Sequence, residues 1–274
     1  MHMSFARNID LSKLDSMTKY PSIETYHPFD PANGTLHDQS CFKFTGTVVA
    51  TEKIDGCNAR IIMLPDGSWI LGSRGELLYG ENDLIINPAH NIVATLSPFA
   101  RHVSENWQAP VEALTVFYGE VYGKPSNAGA WGNYTADKNI TGFRLFDVMQ
   151  IEHDMFEQLH NMPKEAIALW RERSGGQGFH AEPGLQEAAR RFGFELAPRV
   201  WQGPGHDLPT DLRGMLAWML DKVPVSQAPL SPSGAGTAEG VVLRSWARSI
   251  ICKARFADYA RALRQQTMQA PVGG

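Results

Sequence analysis

Two apolar runs separated by a short charged segment constrain this chain more than any other stretch. Thr47-Val48-Val49-Ala50 leads into Thr51-Glu52-Lys53-Ile54-Asp55-Gly56-Cys57-Asn58, and a second apolar run, with Arg60 inside it, extends from Ala59 to Leu64. Short runs rich in apolar and β-branched residues, broken by Asp-Gly, predict strand, tight turn, strand, with Lys53 at the turn. A lysine held there can be packed against a nucleotide phosphate, and as a neutral amine it is a nucleophile. The motif Lys-x-Asp-Gly alone is equally a charged hairpin turn, so its reading depends on the rest of the chain.

The strand pattern continues beyond it. Pro65-Asp66-Gly67 signals a turn between Ile61-Ile62-Met63-Leu64 and Trp69-Ile70-Leu71, so 47–73 reads as a β-meander. It ends in Gly72-Ser73-Arg74-Gly75, where small neighbours let the Arg74 guanidinium reach a phosphate or ribose without crowding. Residues 88–105 predict a helix, with Ile92, Leu96, Phe99 and Val103 on one face. The run 114–123 predicts a strand carrying Glu120, a carboxylate that is costly to bury without a donor such as a ribose hydroxyl or a cation. A Gly- and Asn-rich loop over 125–142 is too long for a plain hairpin. The strand after it, 142–148, sends Phe146 and Asp147 to opposite faces, and Phe146 can stack on a base or serve the core.

The second half changes character. Helices are expected at 162–173, 183–192 and 208–220, with a strand at 194–200, so 151–222 reads as a mostly helical insertion between two groups of strands. The stretch 223–237, rich in Pro, Ser, Gly and Ala, reads as a flexible connector. A last strand pair follows, 238–244 and 249–256, then a helix over 256–266 and a tail from 269. Lys253 and Arg255 are two apart and share a strand face, where two cations repel unless an anion lies between them. Six basic residues (Arg244, Arg248, Lys253, Arg255, Arg261, Arg264) against the single acid Asp258 make a local patch of +5. At the other end a short helix is expected over 10–19, followed by irregular chain.

Composition narrows the setting. The net charge is −4, so any nucleic-acid contact must come from a local patch. Three cysteines, Cys41, Cys57 and Cys252, with no Cys-x-x-Cys pair, fit a reducing cytoplasm and argue against a disulfide framework or a zinc site. No apolar run has membrane-spanning length, and no secretory signal is visible at the N-terminus. The 274 residues, 43% of them hydrophobic, suit one large domain or two small ones.

Taken in order, the motifs are Lys53-Ile54-Asp55-Gly56, Ser73-Arg74-Gly75, Tyr118-Gly119-Glu120, Phe146-Asp147, Glu239-Gly240-Val241-Val242 and Lys253-Ala254-Arg255. Their order and spacing resemble the covalent nucleotidyltransferases, the ATP-dependent ligases and capping enzymes. Within that superfamily the chain looks most like the type 2 RNA ligases. Glu52 directly precedes the lysine, Asn58 follows the glycine by two, and Lys19-Tyr20-Pro21-Ser22-Ile23-Glu24 resembles the opening of this group. The resemblance covers about 18–73, 114–148 and 238–256. It implies an α+β fold, an adenylyltransferase domain of ATP-grasp-like ligase type with antiparallel sheets and flanking helices; the expected arrangement is a single domain over 1–274, with the helical insertion at 151–222 matching no part of the group and without a separate C-terminal domain.

The same resemblance implies roles. Lys53 takes AMP, Glu52 contacts adenine, Asn58 orders water or metal near the phosphates, and Arg74 holds the phosphate or RNA end. Glu120 binds ribose, Phe146 stacks on adenine, Asp147 and Glu239 serve the divalent metal, and Lys253 and Arg255 face the α-phosphate. Arg244 and Arg248 are candidate nucleic-acid contacts beside Arg74. The cofactors are ATP and Mg²⁺ or Mn²⁺. The substrate is RNA with 5′-phosphate and 3′-hydroxyl ends, in the cytoplasm and with no membrane. Nearby cations favour loss of a lysine proton and stabilise charge on the phosphoryl oxygens. The phosphoramidate hands AMP to a 5′-phosphate end, and a 3′-hydroxyl then displaces AMP. The chain departs from the group in two ways. Its last motif reads Lys-x-Arg rather than Lys-x-Lys, which exchanges a point charge for a fork. Only 18 residues follow Phe256, where full-length relatives carry a further RNA-gripping domain, so the expected substitute is either the insertion with the basic patch or a protein partner. Competing readings are a DNA ligase or GTP-using capping enzyme, against which Glu52 and Asn58 argue, and a non-ligating nucleotide-binding subunit, which predicts tight ATP binding without covalent AMP.

Overall fold

The strand ending in the lysine, β1 (Thr47–Lys53), does not pair with its sequence neighbour β2 (Cys57–Met63). In the computed structural model, which describes residues 9–80, 83–84, 91–108, 114–126, 130–172 and 176–269, the two strands belong to different sheets. β1 lies between β9 (Arg199–Pro204) and β10 (Gly240–Ser245), antiparallel to both, and β11 (Ile251–Arg255) completes a four-stranded sheet of order β11-β10-β1-β9. β2 belongs to a seven-stranded antiparallel sheet. Its other strands are β3 (Trp69–Ser73), β4 (Leu77–Gly80), β5 (Asp83–Leu84), β6 (Leu114–Gly123), β7 (Thr141–Ile151) and β8 (Gly178–Phe179), in the order β5-β4-β3-β2-β6-β7-β8. The expected hairpin at Lys53 is therefore a crossing between sheets, and the meander begins at β2. Alternation along a strand gives its faces and not its partners, which is why a local pattern could not separate the two cases.

Helices cover both faces of the larger sheet. On one face Ile61, Leu71, Phe117 and Leu145 pack against α2 (Ile92–Glu105) and α5 (Glu182–Phe192). The stripe Ile92, Leu96, Val103 is buried there, as its spacing predicts, although the start expected at 88–90 lies outside the described residues. On the other face Ile62, Ile70, Val116 and Met149 meet α1 (Leu11–Thr18), α3 (His153–Asn161) and α4 (Lys164–Glu172). In the smaller sheet Val48, Ala50, Leu243 and Cys252 pack on α6 (Leu212–Lys222) and α7 (Phe256–Gln269). Each fully buried aliphatic or aromatic side chain in these layers contributes about 1.5–3 kcal/mol.

Segment 151–222 is knitted into both sheets. β8 extends the larger one, Leu196 bridges to Leu145, and β9 pairs with β1. The strand expected at 194–200 runs over Arg199–Pro204, and Gly193 closes α5 in the left-handed conformation at φ 68°. The stretch 223–237 is anchored rather than loose. Ala228 is fully buried with Ile54, Tyr122 and Tyr134, the Leu230 amide donates to the Tyr134 carbonyl at 2.7 Å, and the Gly236 amide to the Asn133 carbonyl at 3.0 Å. The N-terminal tetrapeptide, part of the 125–142 loop (127–129) and the tail at 270–274 lie outside the described residues.

Candidate active site

Lys53 is the last residue of β1, at the point where the chain leaves one sheet for the other. The crossing, Ile54-Asp55-Gly56, is pinned on both sides. Ile54 is buried among Tyr122 and Tyr134, and the Asp55 amide donates to the Tyr134 hydroxyl at 2.7 Å. Gly56 is required by space: a Cβ there would lie 2.5 Å from the Val121 carbonyl oxygen and 2.9 Å from the Tyr122 Cβ. The glycine of Lys-x-Asp-Gly thus lets the crossing chain lie directly on β6. Across the smaller sheet, Lys53 pairs with Gly240 and Gly240 with Arg255, so three strands bring the two cations into one row. The Lys53 ammonium donates to the Glu239 carboxylate, and the Glu239 amide donates to the Lys53 carbonyl at 3.2 Å.

These residues open onto a cleft of about 550 Å³ between the sheets, within the range of small-molecule sites. The larger sheet supplies Asn58, Glu120, Arg144 and Phe146, and the smaller supplies Lys53, Val242, Lys253 and Arg255. Asn58, Glu120 and Arg144 sit side by side on β2, β6 and β7. Burial pushes the Glu120 carboxyl up to about 8, with Lys53 opposing that rise and Glu239 and Asp55 adding to it. Asn58 Oδ1 is buried and, among the described residues, has no hydrogen-bond partner. Phe146 meets Tyr20 edge-on, ring centroids 5.1 Å apart, and both line the cleft.

The cations are distributed around this floor. Lys253 is half-buried, and burial lowers its pKa, with Arg255, Lys53 and Arg74 adding to the effect. Arg255 donates to Asp258 at 2.7 Å and lies 3.9 Å from Glu239. Arg74 is exposed on the rim, in the turn after β3. Lys53, Asn58, Arg74, Glu120, Phe146, Glu239, Lys253 and Arg255, singled out by motif, therefore meet in one cleft. Glu52 lines it as well, but its carboxylate is occupied. Oε1 accepts from the Ser226 hydroxyl and Oε2 from the Gln227 amide, both at 2.6 Å. Burial raises its pKa against these two hydrogen bonds.

Three expectations are corrected. Asp147 was assigned to metal, and Arg244 and Arg248 to nucleic acid. Asp147 and Arg244 are almost wholly inaccessible, and Arg248 nearly so, with 7% of its side chain exposed. Asp147 Oδ2 accepts from Arg248 Nε at 2.7 Å and from the Tyr20 hydroxyl at 2.8 Å. Arg244 donates to the carbonyls of Phe146 and His180 at 3.1 and 3.0 Å. Arg244 comes from the smaller sheet and Asp147 from the larger, so this cluster ties the sheets together at the back wall of the cleft, which Arg244 lines. It also removes two charges from the expected surface patch, and Asp258, the one acid counted in that patch, is shared between Arg255 and Arg261.

Some cleft residues were not anticipated. Arg144 stands two positions before Phe146, and period-two alternation would have placed both on one face. Tyr20 was noted only as part of a motif. The contact of Ser226 and Gln227 with Glu52 spans more than 170 residues of sequence and leaves no local signal.

Oxygen donors for a divalent ion are the Glu239 carboxylate and Asn58 Oδ1. Among the described residues no group of three or more His, Cys, Asp or Glu is placed to hold one. A magnesium-type ion needs only one or two protein oxygens when phosphates supply others, and the unpartnered Asn58 oxygen fits that arrangement.

A profile of the RNA ligase family matches residues 46–257, from β1 through the start of α7. The chain belongs to the RNA ligase family. Its fold is similar to that of Naegleria gruberi RNA ligase. A mutant of that ligase with ATP and Mn superposes with a TM-score of 0.52 at 11% identity, covering 91% of this chain and 62% of the other. An apo mutant gives 0.52 at 11%, covering 90% and 61%. The same ligase with PPi gives 0.50 at 12%, covering 90% and 62%. At such identity the likeness concerns the fold, and this chain spans about 62% of the ligase's length. No curated protein matches. Within the family fold, no described helix is long and apolar enough to cross a membrane.

Proposed function

We propose that this RNA ligase family member is an ATP-dependent RNA ligase that charges Lys53 with AMP and passes it to a 5′-phosphorylated RNA end. The observation that carries the reading is the row Lys53, Gly240, Arg255 across three strands, with Glu239 on the lysine and Lys253 beside it. The Naegleria ligase, solved with ATP and Mn and with PPi, is consistent with ATP and a divalent ion as cofactors.

The chain's own residues account for the chemistry. Glu239 accepts the hydrogen bond of the Lys53 ammonium and is the carboxylate positioned to take its proton. The amine then attacks the α-phosphorus of ATP, a P–N bond forms and pyrophosphate leaves. Lys253, Arg255 and Arg74 hold the phosphoryl oxygens in a partly buried site, where such cations are worth more than in water. Glu120 accepts from a ribose hydroxyl once ionised, and Phe146 offers a face to the base. A divalent ion held by Glu239 and Asn58 would neutralise phosphate charge. In the second stage a 5′-phosphate oxygen displaces the lysine nitrogen, and in the third a 3′-hydroxyl displaces AMP.

The test is incubation with α-labelled ATP, magnesium and a 5′-phosphorylated oligoribonucleotide. The expected products are labelled adenylylated RNA and sealed RNA. Tight ATP binding with no label on protein or RNA would contradict the reading.

A further inference from the structure

Lys253 and Arg255 line two spaces. One is the cleft already described. The other is an open groove of about 360 Å³ that adjoins it, walled by Ile23, Glu24, Pro28 and Phe29. The wall is fixed to the cationic strand: the Lys253 amide donates to the Glu24 carbonyl and the Tyr26 amide to the Lys253 carbonyl, both at 2.9 Å. Phe29 is 38% exposed. Its backbone is held by a bridge to Leu36, and the flanking His37 amide donates to the Pro28 carbonyl at 2.9 Å. An aromatic ring kept at the surface by backbone pairing, beside two cations, has the parts of a single-strand nucleotide site: a face for a base and charge for a phosphate.

We infer that this groove receives the first nucleotide of the 5′-phosphorylated strand, its base on Phe29 and its terminal phosphate between Lys253 and Arg255. The inference rests on the RNA ligase reading above. Charge and shape select this occupant. Among the described residues the Lys253 ammonium makes no hydrogen bond or ion pair, and Arg255 keeps only Asp258 at close range. Two cations face one carboxylate, Glu24, which is exposed at the groove. A 3′-hydroxyl end brings no terminal phosphate to this pair, and free pyrophosphate has no face for Phe29. A phosphate held by the shared cations stands next to the lysine side of the cleft. There its oxygen attacks the α-phosphorus of the lysyl adduct. A P–O–P linkage forms, the P–N bond breaks, and the lysine nitrogen leaves with the electron pair and takes up a proton from solvent.

The experiment uses the full chain and a 5′-phosphorylated hexaribonucleotide. Binding is read by fluorescence anisotropy, and charging of Lys53 by intact mass with ATP and magnesium. Phe29→Ala is expected to weaken oligonucleotide binding about tenfold, the scale of one lost base stack, while charging proceeds at the wild-type rate, and Phe29→Tyr is expected to restore binding. A 5′-hydroxyl oligonucleotide should bind the wild type more weakly than its phosphorylated twin. The phosphorylated oligonucleotide should also slow alkylation of Cys41, an exposed thiol at the groove. Unchanged binding in Phe29→Ala, or equal binding of the two oligonucleotides, would overturn the inference. Loss of ATP–pyrophosphate exchange without loss of oligonucleotide binding would also overturn it, by assigning the groove to pyrophosphate. Phe29-dependent binding in a protein that never charges would instead refute the ligase reading and leave the groove standing.

Discussion

Two groups of cations lie within a few residues of one another in this protein and do opposite things. In the cleft, Lys53, Lys253, Arg255 and Arg74 share the lining with Glu52, Asp55, Glu120 and Glu239, of which Glu52 is already hydrogen-bonded and Glu120 is pushed up to about 8 by burial. At the back wall of the cleft, Arg244, Arg248 and Arg199 surround Asp147 and Glu182, and further donors of Arg244 and Arg199 go to the carbonyls of Phe146, His180 and Ala197. In the first group Lys53 pairs with Glu239 and Arg255 with Asp258, while Lys253 and Arg74 have no partner among the described residues and face the cavity, as an anion-binding site requires. The second spends its charge internally and holds two sheets at a fixed separation. Burial and partner count distinguish them; residue type does not.

The largest effect that would sharpen this contrast is on stability. Asp147→Ala leaves Arg248 and Arg244 buried without their carboxylate, a change that costs about 3–5 kcal/mol. For a chain of this size that corresponds to a fall in melting temperature of about 10 °C, measurable by calorimetry. A loss of a degree or less would mean the cluster is not a structural tie. Lys253→Ala should do the reverse. It is expected to leave the melting temperature within about 2 °C while slowing AMP transfer to Lys53 by about 10²- to 10³-fold, the range for one lost electrostatic contact at a phosphoryl centre. Single-turnover label incorporation checks it.

A smaller effect concerns Ser226. Ser226→Ala removes one of two hydrogen bonds to the Glu52 carboxylate, at a cost of about 1 kcal/mol, read from denaturant midpoints. A pH effect follows from the cleft carboxyl itself. Because burial raises the folded Glu120 pKa to about 8, the folded state keeps a proton that the unfolded chain has lost. Its contribution to stability is therefore fully present below the unfolded carboxyl pKa and fades as pH rises to about 8. Glu120→Gln should flatten that part of the stability curve. Ribose hydroxyls favour the ionised carboxylate, so ATP binding at pH 7 should release a proton, detectable by calorimetry in two buffers of different ionisation heat. Proton release unchanged in Glu120→Gln would assign it elsewhere.

The same contrast explains what was legible in the sequence. The cleft residues sit in short motifs whose order along the chain is itself a signal, so Lys53, Glu120, Phe146, Glu239, Lys253 and Arg255 could be singled out before their meeting in one cleft was seen. Helix α2 was legible from its stripe. The tie at the back of the cleft was not, because Arg244 and Arg248 share their neighbourhood in sequence with Lys253 and Arg255, and a count of charges treats all four basic residues as one patch. Only the packing of β10 against β7 separates them. Likewise, β1 and β2 read as a hairpin because nothing local records that Ile54-Asp55-Gly56 crosses between sheets. The 223–237 stretch reads as a linker because its anchors, Ala228 in an aromatic cluster and Ser226 on Glu52, are long-range contacts of residues with weak preferences.

The central claim is that Lys53 is the nucleophile of an AMP-transferring site. Its most direct measurement is the intact mass of the purified chain after ATP and magnesium, beside Lys53→Ala, with both proteins first treated with pyrophosphate to discharge any bound AMP. The account predicts one added AMP on the wild type and none on the variant, with both proteins melting at similar temperatures. An AMP adduct on Lys53→Ala, or none on either protein, would contradict it.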